Sequence, residues 1–208
     1  MGYRVLVDYY AARKMLDRYG IRNVESTYVT NEDSALSFWN KKGPIVLKVL
    51  SPKALHKSKS GLVAVRLDSE QEIRNAFKSM QKSASKLKPY KMIAQRMVAN
   101  GIEIIIGGNV DVQFGKMLLL GLGGIYVETF KDFALRRCPI TKYDAGSMLE
   151  QLKSKRVIAP DRRSEEMIIN LLLKVSKMFE DNSFKELDLN PIILHDGTYD
   201  AVDLRILK

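Results

Sequence analysis

With 208 residues, 46% of them hydrophobic, the chain is long enough to fold independently as one large domain or two lobes. Its net charge of +10 favours polyanionic partners, but it has no zinc-finger spacing, aromatic-rich ribonucleoprotein motif or basic helix with heptads, so nucleic acid is not favoured. The single Cys138 excludes an intrachain disulfide, and charges throughout the first twenty residues, with no membrane-length apolar run elsewhere, predict a soluble cytoplasmic protein without a signal peptide.

The N-terminal half is predicted to alternate amphipathic helices with short strands. Helix-start signals precede three groups of apolar residues that recur at helical spacing. These signals are the N-cap residue Asp8, residues 30–33, and the capping box of residues 69–72. Residues 24–29 are predicted to form a strand between the first two helices.

A charged residue interrupts the apolar strand pattern of residues 45–50. A buried lysine such as Lys48 needs an anionic partner or access to water, because an isolated ammonium group is costly to desolvate. A nucleotide phosphate would provide the anion. The alternative, which strand statistics favour, places Lys48 on the exposed face of an edge strand.

One of the two histidines of the chain lies in the polar loop after this strand. His56 is followed by Lys57, Ser58 and Lys59, whose donors suit a phosphorylated imidazole, although a surface loop is the default interpretation. The other histidine, His195, borders the turn of a C-terminal hairpin and is expected to be solvated.

Two adjacent strands are predicted at residues 91–98 and 102–107. Glu103, the only acid in the second apolar run, is expected either to hydrogen-bond a ribose or to face water. Residues 109–115 are predicted to form a turn. The next strand runs into the glycine cluster of residues 121–124, which lacks the Walker and Rossmann spacings and is by itself a weak phosphate signal.

The C-terminal half adds two helices and a hairpin. A helix is predicted to begin at the capping sequence of residues 141–144, a linker to follow at residues 153–163, and the last long helix to begin at Ser164. Helices and strands are mixed in both halves, which favours an α+β (mixed α/β) chain of two lobes.

Residues 186–206 are predicted to form a β-hairpin. Two apolar runs flank Asp196-Gly197, a dipeptide typical of a two-residue hairpin turn. If these two residues form the turn, the cross-strand pairs follow by counting outward. They are His195 with Thr198, Asn190 with Asp203, and Asp188 with Arg205.

This register places an amide oxygen beside a carboxylate. Directly opposed residues have Cβ atoms roughly 5 Å apart, so Asn190 and Asp203 could each give one oxygen to a Mg²⁺ ion. Phosphates of a nucleotide and water would complete the coordination shell. An ordinary edge hairpin, in which Asp203 pairs with Arg205 or a lysine, fits the hairpin pattern about as well.

Several motifs occur in order over essentially the whole chain. They are Val46-Leu-Lys-Val-Leu-Ser-Pro followed three residues later by His56-Lys-Ser, Asp111-Val-Gln-Phe-Gly, Gly121-Leu-Gly-Gly-Ile-Tyr-Val-Glu128, Lys131-Asp132, and Glu186-Leu-Asp-Leu-Asn-Pro with Asp203. Together they resemble the ATP-grasp β subunit of ADP-forming acetyl-CoA (acyl-CoA) synthetases, a relative of the succinyl-CoA synthetase β subunit. The resemblance implies a single ATP-grasp domain over residues 1–208, in which two lobes, approximately residues 1–96 and 97–208, grip ATP between them.

The resemblance also implies roles for individual residues. Around the nucleotide, it implies that Lys48 contacts the phosphates, that the backbone of Gln95, Arg96, Met97 and Val98 reads adenine, and that Glu103 contacts the nucleotide. It further implies that Asn190 and Asp203 bind Mg²⁺, that His56 carries a phosphoryl group, and that Asp188 lies near the phosphorylated histidine.

The activity implied by the resemblance is the interconversion of acyl-CoA, ADP and phosphate with the free acid, CoA and ATP. A separate CoA-binding α subunit would pass phosphate from its own histidine to His56, which relays it to ADP. The two kinds of subunit are expected to form an α2β2 heterotetramer. Two alternatives stay open: a non-catalytic ATP-grasp relative that binds nucleotide or RNA through its positive charge, and a stand-alone ATP-grasp ligase.

The chain departs from the family pattern at several positions. After His-Lys-Ser, Lys59 replaces an acid and Leu62 replaces a second glycine. Arg96 stands where an acid is common, and Val110 and Val112 replace an arginine and a proline. These differences concern the histidine loop and the nucleotide preference more than the fold.

Overall fold

The computed structural model of the protein describes residues 5–53, 61–98, 100–124 and 132–208. Within these ranges the elements, in chain order, are α1 (Tyr9–Arg18), β1 (Ser26–Val29), α2 (Glu32–Lys42), β2 (Ile45–Leu50), β3 (Val63–Leu67), α3 (Glu70–Ala84), a 3₁₀ turn (Ser85–Leu87), β4 (Lys91–Arg96), β5 (Ile102–Asp111), β6 (Gly115–Leu122), β7 (Phe133–Arg137), α4 (Lys142–Gln151), α5 (Lys155–Ile158), α6 (Arg162–Asp181), β8 (Glu186–His195), β9 (Thr198–Ala201) and β10 (Leu204–Leu207). None of the helices in these ranges has the length and apolar character that crossing a membrane requires.

The chain forms two compact units, which we call the small unit and the large unit. Val24–Ala99 forms the small unit, and Met1–Asn23 together with Asn100–Lys208 forms the large unit. This division differs from the predicted lobes at the N terminus. The reason is that the apolar face of α1 packs in the large unit, where Ala12 and Leu16 are buried.

The predicted helix starts are supported by side-chain caps. At the start of each helix a side chain accepts hydrogen bonds from backbone N–H groups of the first turn. These N-cap residues are Asp8 of α1, Asn31 of α2, Ser69 of α3 and Thr141 of α4. The prediction that the last long helix begins at Ser164 is wrong, because α6 begins at Arg162. Asp161 is its N-cap and accepts the N–H of Ser164 at 2.7 Å.

Two further predictions of local structure are wrong. The linker predicted at residues 153–163 contains α5, which forms because Ile158 is buried in the core of the large unit. The turn predicted at residues 109–115 is shorter, because β5 continues to Asp111. The carboxylate of Asp111 closes the turn by accepting the N–H of Gln113 at 2.8 Å.

The small unit is built on a four-stranded antiparallel sheet. Its strand order is β1-β4-β2-β3, and helices α2 and α3 pack on one face. Ile45, Leu47 and Val49 of β2 point into the apolar core on that face. Because side chains alternate along a strand, Val46 and Lys48 point to the opposite face.

The large unit is built on a second antiparallel sheet, with the order β10-β8-β5-β6-β7 and with β9 also paired to β8. Helices α1, α4, α5 and α6 share an apolar core on one face. We call the opposite side the second face of the large sheet. Phe179 of α6 packs against Gly108 of β5, where an added Cβ would lie 3.1 Å from the ring, so glycine permits this approach.

A lysine closes the C-terminal end of α6. The Nζ of Lys116 donates to the carbonyl oxygens of Phe179, Glu180 and Asn182 at 2.8, 2.7 and 3.1 Å. Carbonyl groups in the last turn of a helix lack intrahelical partners, and a positive charge also complements the helix dipole there. Lys116 therefore ties β6 to the end of α6.

Candidate functional site

The register predicted for the C-terminal hairpin is confirmed. His195 pairs with Thr198 in the β8–β9 ladder, and Asp188 pairs with Arg205 in the β8–β10 ladder. The turn residues Asp196 and Gly197 have φ values of 46° and 68°, and a type I′ turn requires positive φ at both of its central residues.

Asn190 and Asp203 lie side by side at the break between β9 and β10. The N–H groups of Val202 and Asp203 point to the carbonyl oxygen of Pro191, at 3.0 and 3.4 Å. The N–H of Asn190 donates to the carbonyl oxygen of Asp203 at 3.2 Å. The backbone therefore holds the predicted metal-binding pair together.

The donor atoms of this pair fit a hard cation that has further ligands. Asn190 is exposed and Asp203 is half-buried, and they provide the amide and carboxylate oxygens that Mg²⁺ prefers. Asp203 Oδ1 accepts the N–H of Leu204 at 3.0 Å, which orients the carboxylate. Throughout the described ranges, no three His, Cys, Asp or Glu side chains are grouped to hold a metal, so an ion here would also need phosphate and water oxygens.

An ion pair with a buried carboxylate anchors the hairpin near this position. Asp200 is 1% exposed, and it accepts a hydrogen bond from Arg22 Nε at 2.8 Å. Its other carboxylate oxygen lies 3.0 Å from Nε2 of His195, whose side chain is 13% exposed. The expectation that His195 is solvated is therefore wrong. Asp200 pairs with Ile193, and His195 is its diagonal neighbour on the sheet, within reach of a long side chain.

The glycine cluster packs against Glu103 of β5. The N–H of Gly123 donates to the carbonyl oxygen of Glu103 at 2.6 Å, and a Cβ at Gly123 would lie 2.8 Å from the backbone of Glu103. At Gly124, φ is 73° and a Cβ would lie 3.2 Å from Oε2 of Glu103. These glycines therefore let the chain pass close to Glu103, which itself is half-buried.

Lys48 lies in an interior strand of the small sheet. β2 is flanked by β4 and β3, and Lys48 is 6% exposed, which excludes the exposed edge-strand alternative. Gln95 of β4 pairs with Val46, shares the face of Lys48 and is fully buried. A buried ammonium group needs polar or anionic partners, so the predicted phosphate contact agrees with this environment.

The remaining hinge residues follow at the end of β4. The N–H groups of Arg96 and Met97 donate to the carbonyl oxygens of Glu25 and Pro44, at 2.9 and 2.8 Å. Both N–H groups are thus engaged inside the small unit. Val98 comes next and is buried.

Asp132, in the Lys131-Asp132 motif, holds the start of α5. Its two carboxylate oxygens accept the N–H groups of Lys153 and Ser154, each at 2.8 Å. Burial opposes ionisation, but the hydrogen bonds from Ser154 and Lys153 outweigh it and lower the pKa of Asp132. Sequence reasoning missed this role, because spacing along the chain did not indicate that the two segments meet.

A groove of about 830 Å³ lies along the second face of the large sheet. Its lining includes Gly107, Leu119, Phe133, Leu135 and Asp188. Phe133 and Leu135 are 46% and 42% exposed, so the groove has an apolar side. Asp188 therefore lies at the wall of a groove within the large unit.

The predicted site residues are divided between the two units. Glu103 and Asp188 lie on the paired strands β5 and β8, and Asn190 and Asp203 lie on the hairpin of the same unit. Lys48 and the hinge residues belong to the small unit. His56 lies outside the described residues, so its assignment stays a prediction.

Two antiparallel sheets, each with helices on one face, together with an oxygen-donor pair on the last hairpin, define the class of protein. A sequence profile described as the ATP-grasp domain matches residues 2–207. The chain belongs to the ATP-grasp domain family, in the branch that includes the β subunits of ADP-forming acetate–CoA ligases.

The relatives of the chain include curated and solved proteins of similar length. The β subunit of ADP-forming acetate–CoA ligase I from Pyrococcus furiosus is 35% identical, over 94% of this chain and 89% of that protein. The dinucleotide-forming acetyl-coenzyme A synthetase 1 of Ca. Korarchaeum cryptofilum, solved with coenzyme A and Ca-AMPCP, is 32% identical with a TM-score of 0.87, over 98% of this chain and 93% of that chain. Another structure of the same synthetase contains coenzyme A and Mg-AMPPCP, and its phosphohistidine segment points towards the nucleotide binding site. It is 31% identical with a TM-score of 0.80, over 97% of this chain and 92% of that chain.

Proposed function

We propose that this chain is the nucleotide-binding β subunit of an ADP-forming acyl-CoA synthetase, which interconverts acyl-CoA, ADP and phosphate with the free acid, CoA and ATP. The observation that carries the proposal is the placement of Asn190 beside Asp203 in the hairpin. The relatives support it, because one is an ADP-forming acetate–CoA ligase subunit and the solved ones hold nucleotide analogues with Ca or Mg.

Each predicted site residue has a proposed role in binding the nucleotide. Asn190 and Asp203 would bind Mg²⁺, which when bound neutralises charge on the phosphates. The buried ammonium of Lys48 would bind phosphate oxygens through charge-assisted hydrogen bonds, and Glu103 would contact the nucleotide from β5. Because the N–H groups of Arg96 and Met97 are already bonded, an N–H contact from the hinge to adenine would come from Val98.

The phosphoryl group would be carried by His56. A phosphorylated imidazole on a loop can serve two sites that one fixed side chain could not both reach. Asp188, at the wall of the groove, would accept a hydrogen bond from the ring and so orient it, as carboxylates commonly do for a reacting histidine.

The partner would be a separate α subunit that carries the CoA site, in an α2β2 heterotetramer. The Pyrococcus furiosus relative is itself named as a β subunit, which implies a second subunit in that protein. The chain alone would then bind nucleotide without turning over.

The metal pair provides the test. Loss of a group that only supports a metal ligand lowers affinity roughly 10- to 100-fold, so loss of a ligand should cost at least as much. Asp203→Ala should therefore lower the affinity for MgADP by at least this factor, while the far-ultraviolet circular dichroism spectrum stays unchanged. Asp203→Asn should be intermediate. Isothermal titration calorimetry measures both. Asp33→Ala is a matched control, because it removes a carboxylate that is 82% exposed on the small unit.

Three outcomes would contradict the proposal. Unchanged MgADP affinity in Asp203→Ala would show that Asp203 does not bind Mg²⁺. Tight binding of a generic RNA at physiological salt, with no nucleotide binding, would favour the non-catalytic relative. Substrate-dependent ATPase activity of the chain alone would favour the stand-alone ligase.

A further inference from the structure

We propose that Asp200 is a positioning residue, which holds strand β9 so that Asp203, three residues later, presents its carboxylate to Mg²⁺ beside Asn190. The inference rests on the proposed function and deepens it, because it assigns a task to a buried charge that the proposed nucleotide contacts do not use. In this role Asp200 acts through the side chains that it binds and through the backbone of β9, and not through contact with the ion.

Asp200 carries its charge in a position where burial is costly. Tyr199 and Ala201 of β9 are buried in the apolar core, so Asp200 between them points to the second face of the large sheet. It is nevertheless only 1% exposed. A buried carboxylate is costly unless it is paired and hydrogen-bonded, and an apolar residue of similar volume often serves stability as well. The charge of Asp200 therefore calls for a task that an apolar side chain could not perform.

Two partners reach Asp200 from distant parts of the chain. Arg22 Nε donates to Oδ1 at 2.8 Å, and Oδ2 lies 3.0 Å from Nε2 of His195. The side chain of Arg22 is 53% exposed, so its guanidinium stays partly in water while Asp200 is enclosed. Nδ1 of His195 lies 3.6 Å from the exposed carboxylate of Asp196. Asp200 thus connects the N-terminal segment at Arg22 with the end of β8.

The backbone beside this ion pair leads to the metal pair. The N–H of Ala201 donates to the carbonyl oxygen of Arg22 at 3.1 Å, and Asn23 forms a parallel β-bridge with Ala201. Ala201 also pairs with Ile192, so β9 is held between β8 on one edge and the segment at Arg22 on the other. Ala201 is the last residue of β9 and precedes Asp203 by two residues.

The N-terminal segment is itself anchored, so it can support β9. Arg13 Nε donates to Asn23 Oδ1 at 2.6 Å, and Asn23 Nδ2 donates to Asp17 Oδ1 at 2.7 Å. Arg13 and Asp17 belong to α1, whose apolar face is packed in the core of the large unit. The support of β9 therefore extends back to that core.

Asp203 needs such support because it lies between two strands. β9 ends at Ala201 and β10 begins at Leu204, so neither strand includes Asp203. A metal ligand must be held within about 0.5 Å of its productive position. Groups that orient a metal ligand without touching the metal change the affinity about 10- to 100-fold. By fixing the end of β9, the ion pair of Asp200 with Arg22 restricts where the carboxylate of Asp203 can lie.

The test separates binding of the metal from binding of the nucleotide. Isothermal titration calorimetry of the full chain measures the affinity for ADP with and without Mg²⁺, and the ratio is the gain from the metal. Asp200→Asn should lower this gain at least fivefold, because the amide keeps the shape of the carboxylate but not the charge that holds Arg22. The affinity for ADP without Mg²⁺ should change less than twofold.

Variants of the partner show whether the ion pair is responsible. Arg22→Gln should give the same selective loss, and Arg22→Lys should restore part of the gain. The double variant Asp200→Asn/Arg22→Gln should lose no more than either single variant, because all three lack the same ion pair. Asp196→Asn is the matched control, since it makes the same change on the same hairpin at a side chain that is 97% exposed, and it should change neither affinity.

The selectivity of the loss decides the matter. Equal losses with and without Mg²⁺, or no loss in either condition, would show that Asp200 only stabilises the hairpin and would overturn the inference. Losses that multiply in the double variant would also overturn it. If Asp200→Asn does not fold, the Arg22 variants decide, because a selective loss that lysine repairs supports the inference and an unselective one overturns it. A wild-type chain that binds ADP in neither condition would instead overturn the proposed function, on which the inference rests.

Discussion

Lys48 is the residue whose burial bears most directly on the proposed nucleotide contacts. It is 6% exposed in an interior strand, where a charged side chain is costly to desolvate. Lys48→Met keeps a flexible side chain of similar length but removes the charge, so the variant should stay folded with a lower free energy of unfolding, because the polar interaction of Lys48 is lost. MgADP affinity should fall about 10- to 100-fold, since a charge-assisted hydrogen bond contributes about 1.5–3 kcal/mol and tenfold corresponds to about 1.4 kcal/mol.

Urea unfolding and calorimetry measure the two quantities for Lys48→Met. Lys78→Met is the control, because Lys78 lies on α3 of the same unit with a side chain that is 68% exposed. The control should change neither quantity appreciably. Reduced stability with intact MgADP affinity would mean that Lys48 belongs to a structural ion pair and not to a phosphate site.

Single residues were predictable where their partners are close in sequence. The Asp196-Gly197 turn sets its own register, and from it the pairing of Asp188 with Arg205 follows by counting. The environment of His195 was not predictable in the same way. It depends on Asp200, whose charge is balanced by Arg22 from the other end of the chain, and no local pattern indicates that contact.

Among the elements, α5 depends on a carboxylate from outside the helix. Asp132 accepts two N–H groups that precede α5, and its pKa is lowered by these bonds. A carboxylate with a lowered folded-state pKa stabilises the fold above its unfolded pKa of about 3.9, and that contribution is lost as the pH falls through the folded pKa. The contribution is therefore present at neutral pH and disappears from about pH 4 downward.

Asp132→Asn should lower the stability at pH 7 and reduce the difference in stability between pH 7 and pH 3. The amide oxygen can still accept a hydrogen bond but carries no charge, which removes the pH-dependent part. Urea unfolding at both pH values measures the difference. Asp17→Asn is a useful comparison on an exposed residue of α1, and a loss of acid sensitivity equal to that of Asp132→Asn would contradict the role of Asp132.

Elements with strong caps were predicted and short charged ones were not. The helices that follow Asp8 and Thr141 could be predicted, because each of these side chains accepts backbone N–H groups only two or three residues later in the sequence. β7 contains two adjacent arginines and looks like a charged connection in the sequence. It forms a strand because it pairs with β6 along its whole length, and Arg136 bonds Ser147 of α4 at 2.8 Å, contacts that depend on tertiary structure.

For the whole molecule, the allocation of the N-terminal residues was the least predictable feature. The helical pattern around Leu16 shows that α1 has an apolar face but not which core receives it. In the structure the N-terminal segment pairs with β10, which directs α1 to the core of the large unit. Val7 donates its N–H to the carbonyl oxygen of Ile206 at 2.9 Å, and Leu6 forms a β-bridge with Leu207. The N-terminal segment thus covers the outer edge of β10.

The last prediction concerns the proposed two-subunit enzyme and the residue that would link its subunits. His56 should be the phosphorylated residue of this chain, since it is one of only two histidines and the other, His195, is held by Asp200 in the hairpin. Incubation of the chain and the proposed α subunit with labelled ATP, followed by a basic quench and separation of the chains, should leave acid-labile label on this chain.

His56→Ala should abolish that label and reduce acyl-CoA synthesis to background, while MgADP binding by the isolated chain stays unchanged, because Lys48, Asn190 and Asp203 are intact. His195→Gln tests the alternative histidine, and it should keep the label. The fold and the proposed binding of Mg²⁺ by Asn190 and Asp203 do not depend on a phosphohistidine relay. This experiment therefore tests only the route of the phosphoryl group. A β chain that is still labelled in His56→Ala, or full acyl-CoA synthesis by that variant, would show that His56 is an ordinary loop residue and that the phosphoryl group reaches ADP by another path.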